Sequence, residues 1–233
     1  MFKSKKLYGL LAWTFLLAAC GTTETFMSAD LVTAKVGDRE VKAFLDKPDG
    51  EGPFPAVVLL PTAGGVQDHI RRDWPRFLNS LGYATLVVDA APIRKARSDS
   101  EYLDQFEDAY GALDYLAVQK SIDKDNVALM GFSAGGITIN RFHGQEFRSP
   151  QGRQFKAAIS LYGMCKADFG TKQFIPLSII IGDKELPDKL QGCLENIGKK
   201  TEIEINLIKG AYHAFDKATT RTLTYGKFGN PTM

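Results

Sequence analysis

Hydrophobic positions along the chain change period from segment to segment. Alternation of Val41, Ala43 and Leu45 predicts a half-exposed hairpin, with strands over Leu31–Val36 and Glu40–Leu45 around a Gly37-Asp38 turn. After the loop Pro48-Asp-Gly-Glu-Gly-Pro53, the continuous run Ala56-Val-Val-Leu-Leu60 reads as a strand buried on both faces. A helix follows over Asp68–Leu81, with Ile70, Trp74, Phe77, Leu78 and Leu81 on one side. Pro75 sets its firm start near Asp73, and Gly82 suits its C-terminal cap. Ala84–Asp89 is a second buried strand, and residues 90–99 form a basic loop. Ser100 could cap the next helix, whose apolar stripe is Tyr102, Phe106, Ala109, Leu113, Leu116 and Ala117. A strand then ends at Phe132, a helix spans Ala134–Asn140, and Arg141–Arg153 is polar and loop-like. Strands over Phe155–Leu161, Phe174–Gly182 and Thr201–Ile208, with a helix over Asp188–Ile197, complete the pattern. Strands alternating with helices predict an α/β fold: a mostly parallel central sheet with helices on both faces and an N-terminal antiparallel hairpin.

Composition narrows the function. With 44% hydrophobic and 24% charged residues in 233, the chain builds an ordinary globular core. Lys3, Lys5 and Lys6 precede the apolar stretch Leu7–Ala19, which is too short to span a bilayer and suits a signal peptide. Without residues 1–19 the balance is 26 basic to 27 acidic residues, so no basic excess points to nucleic acid. Leu17-Ala-Ala-Cys20-Gly21 resembles the lipobox of bacterial lipoproteins, which implies lipidation of Cys20 and anchoring in the cell envelope. Gly21, with no acid after the cysteine, resembles lipoproteins sent to an outer membrane, facing the periplasm. Residues 20–30 read as a Thr/Ser-rich tether, and 31–233 as one domain. Cys165 and Cys193 are then an even pair in an oxidising compartment; a bridge would close a loop of about 28 residues, and two buried free thiols are the alternative.

Four predicted strand ends carry chemistry. Gly131-Phe-Ser133-Ala-Gly135 is a G-x-S-x-G pattern between a strand and a helix, where a serine hydroxyl is exposed on a sharp turn. Thr62-Ala63-Gly64-Gly65, Asp183-Lys-Glu185 and Ala211-Tyr-His213-Ala-Phe215 end three others. A serine needs a base, and the base needs a carboxylate to orient it. His213 is better placed than His69 or His143. The order serine, acid, histidine is that of α/β-hydrolases. No His/Cys cluster has metal-ligand spacing, and no cofactor is expected.

The chain resembles the dienelactone hydrolase family of α/β-hydrolases from about residue 39 to 216. The resemblance rests on Leu59-Leu-Pro-Thr-Ala-Gly-Gly65, Gly82-Tyr-Ala-Thr-Leu-Val-Val-Asp89, Gly131-Phe-Ser-Ala-Gly-Gly136, Ile180-Ile-Gly-Asp-Lys-Glu185 and Gly210-Ala-Tyr-His-Ala-Phe-Asp216. Ser133 stands where the namesake enzymes have cysteine, so the serine esterase branch is nearer and dienelactone itself is in doubt. The resemblance implies a hydrolase of a small ester or lactone. Ser133 would be the nucleophile, His213 the base and Glu185 the acid, with Asp183 the alternative acid and Asp188 more distant. The N–H groups of Ala63 and Ala134 would form the oxyanion hole, with Thr62 adding its hydroxyl. Arg94 could meet an anionic substrate or simply be solvated. The family usually ends in a helix packed on the sheet; the 20 residues after His213 show no helical apolar stripe, so that helix is expected to be missing or short. A peptidase or acyltransferase with the same triad, and a non-catalytic envelope binding protein, are the competing readings.

Overall fold

The computed structural model describes residues 29–89, 99–143, 146–165, 174–195 and 203–217, and the backbone of 224–225 and 231–232. The leader, Cys20, most of the tether, Arg94 and most of the chain after residue 217 lie outside the described residues. Strands β1 (Asp30–Val36) and β2 (Arg39–Asp46) form the hairpin, and β3 (Phe54–Leu60) follows. A π-helical turn, His69–Asp73, runs into α1 (Trp74–Ser80) with Pro75 in its first turn. Next come β4 (Ala84–Val88), α2 (Asp99–Ala117), β5 (Ile122–Phe132) and α3 (Ala134–Phe142). The strands β6 (Ala158–Leu161) and β7 (Leu177–Gly182), the helix α4 (Pro187–Leu194) and β8 (Ile203–Ile208) complete the main layer. The short strands β9 (Thr224–Tyr225) and β10 (Pro231–Thr232) pair separately.

The eight strands lie in the order β1-β2-β4-β3-β5-β6-β7-β8. β2 pairs antiparallel with both β1 and β4, and every later pairing is parallel. From β3 the chain moves to one side for β4 and returns to the other for β5. The strand order therefore reverses between β3 and β5, and a crevice opens at their carboxyl ends. One face packs Val57, Leu59, Val87, Met130 and Phe132 against Ile70, Trp74 and Leu78 of the π turn and α1. The other packs Val58, Leu86, Leu129 and Ile179 against Phe106, Leu113 and Leu116 of α2, Ile139 of α3 and Cys193 of α4. Helices thus cover both faces, as the alternating pattern implies.

Some boundaries differ from expectation for physical reasons. Phe77 and Leu81 are exposed, because only Ile70, Trp74 and Leu78 of their stripe reach the sheet. Ser100 lies inside α2, which starts at Asp99. The strand expected from Phe155 begins only at Ala158; Phe155 instead joins a ring cluster, with Tyr110 at 5.0 Å between centroids. Phe106, Phe142 and Phe147 extend that cluster and hold part of the polar segment after α3 against the core. Pro176 has no N–H to give a ladder, and β7 starts after it. α4 starts at Pro187, a first-turn proline that loses no helical hydrogen bond.

Two carboxylates tie the hairpin to its surroundings. Asp108 of α2 meets Arg39 at 2.9 Å, and Asp46 of β2 meets Arg71 at 3.4 Å. Burial, only partly offset by these arginines, pushes both carboxyls up to about 6. A raised carboxyl favours the folded state most below its unfolded value near 3.8, and that contribution is lost as pH rises through 6. Asp108→Asn cannot ionise, so its melting temperature should fall less between pH 4 and 6.5 than that of the unsubstituted protein. The difference should be on the order of 2 kcal/mol across that window; parallel curves would refute it.

Candidate active site

β5 delivers Ser133 on a sharp turn. Its backbone, at φ 51° and ψ −105°, lies in a region that L-residues avoid. The flanking glycines are required by space. A Cβ on Gly131 would collide with the Gly135 backbone, and one on Gly135 would stand 2.6 Å from the Leu60 carbonyl oxygen. Backbone hydrogen bonds hold the turn in place. Ser133 N–H donates to Leu161 O at 3.0 Å, and Gly135 N–H to Pro61 O at 3.1 Å.

The serine hydroxyl lies 2.9 Å from His213 Nε2. On the other side of the ring, His213 Nδ1 lies 2.5 Å from Glu185 Oε2. With Nδ1 protonated, the ring donates to Glu185 and Nε2 accepts from Ser133, which makes one continuous chain of hydrogen bonds. Burial alone would raise the Glu185 carboxyl, but His213, the Leu186 N–H and Lys189 outweigh it and hold it below its ordinary value. Glu185 is therefore an anion at neutral pH, with a side chain 1% exposed. Leu186 N–H donates to its second oxygen at 3.0 Å, and Lys189 Nζ stands 3.5 Å from it.

Asp183 does not reach the histidine. Its Oδ1 accepts from Gly210 N–H at 2.7 Å, which ties the β7 turn to the loop carrying His213. Lys184 N–H donates to Ala211 O at 3.0 Å and makes a second tie. Asp188 lies in the first turn of α4, and the carboxylate on His213 Nδ1 is that of Glu185. His69 is buried beside Asp216, and His143 is buried just after α3.

Ala134 is the first residue of α3, so its N–H has no acceptor within the helix and points out of the positive end of the helix dipole. Ala63 follows β3 in the Thr62–Gly65 turn and packs with Ala134 and Tyr102 in one small apolar cluster. The Thr62 hydroxyl is fully engaged within its own loop. It accepts from Gly64 N–H and Gln67 Nε2, both at 3.1 Å, and its proton faces Gly65 O at 3.3 Å. It has no donor left for a substrate oxygen, contrary to expectation.

Sequence patterns missed several residues that support the site. Gln105 of α2 donates to Pro61 O at 3.3 Å and accepts from Thr138 at 2.5 Å, bracing the Ala63 loop against α3. Tyr162 has a positive φ of 41° and packs its ring edge-on to His213 at 5.0 Å between centroids. The available signal was a polar residue inside an apolar stripe for Gln105, and none for Tyr162. Among the described residues, no group of three or more His, Cys, Asp or Glu could hold a metal ion.

Known proteins share this architecture. A dienelactone hydrolase-like promiscuous phosphotriesterase, P91, from metagenomic libraries superposes with a TM-score of 0.64 over 80% of this chain and 83% of its own, at 21% identity. A dienelactone hydrolase from Anabaena variabilis gives 0.62 over 82% and 89%, at 20% identity. Esterase 2 of Thermogutta terrifontis gives 0.63 over 81% and 86%, at 16% identity. The fold is that of the α/β-hydrolases. Within it, a sequence profile of the prolyl oligopeptidase family matches residues 99–173, from α2 through the serine turn and beyond β6. A Bacillus subtilis protein named "Putative hydrolase YtaP" is 27% identical over 128 residues; the match covers 43% of this chain and 43% of that one. The chain thus spans less than half the length of that relative.

One covalent tie steadies the Glu185 side of this site. Cys165, after β6, is bonded to Cys193 in α4, 28 positions along the chain, with Cα atoms 4.9 Å apart. Neither cysteine should react with an alkylating agent in the denatured, unreduced protein, and both should react after reduction. Reduction should destabilise by about 3 kcal/mol. Two alkylated thiols before reductant is added would contradict the bond.

Proposed function

We propose that the chain is a serine hydrolase that cleaves a carboxylic ester or related acyl bond through an acyl-enzyme. The observation that carries this reading is the unbroken run of hydrogen bonds from Ser133 through His213 to Glu185, with its serine on a strained strand-to-helix turn. His213 Nε2 takes the hydroxyl proton as Ser133 Oγ attacks the carbonyl carbon. Glu185 keeps the ring in the required tautomer and stabilises the imidazolium. The N–H groups of Ala134 and Ala63 receive the oxyanion of the tetrahedral intermediate. As that intermediate collapses, the bond to the alcohol oxygen breaks and His213 donates its proton to the departing alkoxide. Water, activated by the same histidine, then releases the acid and restores Ser133.

The serine in place of cysteine and the esterases among the structural neighbours favour a small ester or lactone as substrate. The prolyl oligopeptidase match across the serine turn favours peptide cleavage as a second reading. The two separate by substrate: p-nitrophenyl acetate or butyrate against a prolyl peptide p-nitroanilide. We further propose that the domain is tethered in the cell envelope by a lipid on Cys20. The Lys-rich, apolar leader and its Leu-Ala-Ala-Cys ending support this. Cys20→Ala should then move the protein from the membrane to the soluble fraction; an unchanged distribution refutes the anchor.

A fluorophosphonate probe should label Ser133 of the folded protein and leave Ser133→Ala untouched. Ser133→Ala and His213→Ala should each lower ester turnover by roughly 10⁴-fold or more, and Glu185→Ala by roughly 10³-fold. Asp183→Ala should cost about tenfold at most, since it removes a loop tie and not the partner of the histidine. No labelling of folded protein would refute the hydrolase reading. A silent Glu185→Ala beside an inactive Asp183→Ala would move the acid.

A further inference from the structure

The loop carrying His213 is held at two ends by different partners. Before the histidine, Gly210 and Ala211 are bonded to Asp183 and Lys184, in the turn that bears Glu185. These ties hold His213 against its acid. After the histidine, Asp216 reaches across the molecule. Its Oδ2 accepts from the Trp74 indole N–H at 2.8 Å, a contact spanning 142 residues of sequence. Trp74 packs its ring on Phe132 at 5.5 Å between centroids, and Phe132 is the residue before the serine. The second tie thus runs from the histidine loop to the strand end that bears Ser133.

The surroundings make this a built contact. The Asp216 side chain is 9% exposed and that of its neighbour His69 is 6% exposed, with His69 Nε2 3.7 Å from Asp216 Oδ2. His69 stands edge-on to Phe132 as well, at 6.1 Å between centroids. Burial pushes His69 below its ordinary value, more strongly than the Asp216 charge raises it, so its ring is neutral at pH 7. Tyr162 packs edge-on against both His213 and Phe215, and burial together with the Asp216 charge holds its phenol far above the ordinary value. The indole N–H is the short, well-placed hydrogen bond on Asp216 Oδ2, with the Tyr162 hydroxyl and the neutral His69 ring also beside the carboxylate. Ala214, between His213 and Asp216, has a positive φ of 57°, and such a conformation persists only when both sides of it are fixed.

We propose that Asp216 is a positioning residue: by gripping the Trp74 indole N–H it anchors the His213 loop to the elements packed on Phe132, and so sets the reach of His213 to Ser133. This rests on the hydrolase reading for its effect on turnover, though the geometry itself does not. The Asp183 ties govern the bond from histidine to acid, and Asp216 governs the bond from serine to histidine.

Asp216→Ala removes the acceptor, Trp74→Phe removes the donor while keeping a ring on Phe132, and Asp216→Asn keeps an oxygen for the indole. The first two should lower kcat and the fluorophosphonate labelling rate by roughly 10- to 100-fold with KM unchanged, as expected for a misplaced catalytic base. Asp216→Asn should recover most of the rate, and the double variant Trp74→Phe/Asp216→Ala should be no worse than either single one. A direct readout is ¹⁵N NMR of the three histidines, with His213 assigned by His213→Ala. In Asp216→Ala and Trp74→Phe the Nε2 signal should move to its position in Ser133→Ala, while the Nδ1–H signal persists. An Nε2 signal at its unsubstituted position in both variants overturns the proposal. If Asp216→Ala does not fold, Trp74→Phe decides. If the unsubstituted protein never labels, the hydrolase reading falls, and the Nε2 shift alone decides the role of Asp216.

Discussion

The backbone of Ser133 is the constraint on which the rest of the site depends. Holding a non-glycine residue at φ 51° costs on the order of 1–3 kcal/mol, and surrounding structure must supply that. Here β5 runs in parallel between β3 and β6, and the turn hangs from the carbonyls of Pro61 and Leu161 on either side. Glycines at 131 and 135 let β5 and α3 approach closely enough for those bonds to form. The turn also places the open N-terminus of α3 beside the hydroxyl, so the serine and the positive end of the helix come from one geometric decision. Ser133, Tyr162 and Ala214 are the non-glycine residues with positive φ among the described residues, and all three surround the same imidazole. Among the described residues, the strained non-glycine backbone is gathered around His213.

How much of this was legible depends on the range of the interaction. Runs such as Ala56–Leu60 and Ala84–Val88 read directly, because a strand buried on both faces needs apolar residues at every position. The stripe of α2 read directly for the same reason. Phe77 and Leu81 misled, because period alone cannot say which apolar residues of a short helix reach the sheet. β6 and β7 start later than their apolar runs, because Phe155 serves a ring cluster and Pro176 has no N–H for a ladder. In the site, Ser133 and His213 carry local patterns. Glu185 and Asp183 sit two residues apart in one turn, and only the approach of Gly210 shows which of them is already engaged.

The supporting residues were illegible for a different reason. Gln105 and Pro61 are 44 residues apart, and Asp216 and Trp74 are 142 apart. No local period links such pairs, and Gln105 alone reads only as a polar residue in an apolar stripe. The structure shows that they join the loops that carry the chemistry to one another and to the sheet. A nucleophile, a base and an acid can be picked from a string of letters; the parts that keep them within hydrogen-bond reach cannot.

The site draws on the ends of β3, β5, β7 and β8, with serine and histidine 80 positions apart in sequence and histidine and acid 28 apart. None of these partners is local in the chain, and β8 is the last strand of the main sheet. Closing such long loops is slow and is rewarded only when distant strands dock. A chain that has formed β1 through β6 therefore already carries the serine turn, yet lacks the elements that bring His213 and Glu185 to it. On the proposed reading, the nucleophile would stay inert during synthesis until the far edge of the sheet is in register, and the order of the strands would itself delay reactivity until folding is complete.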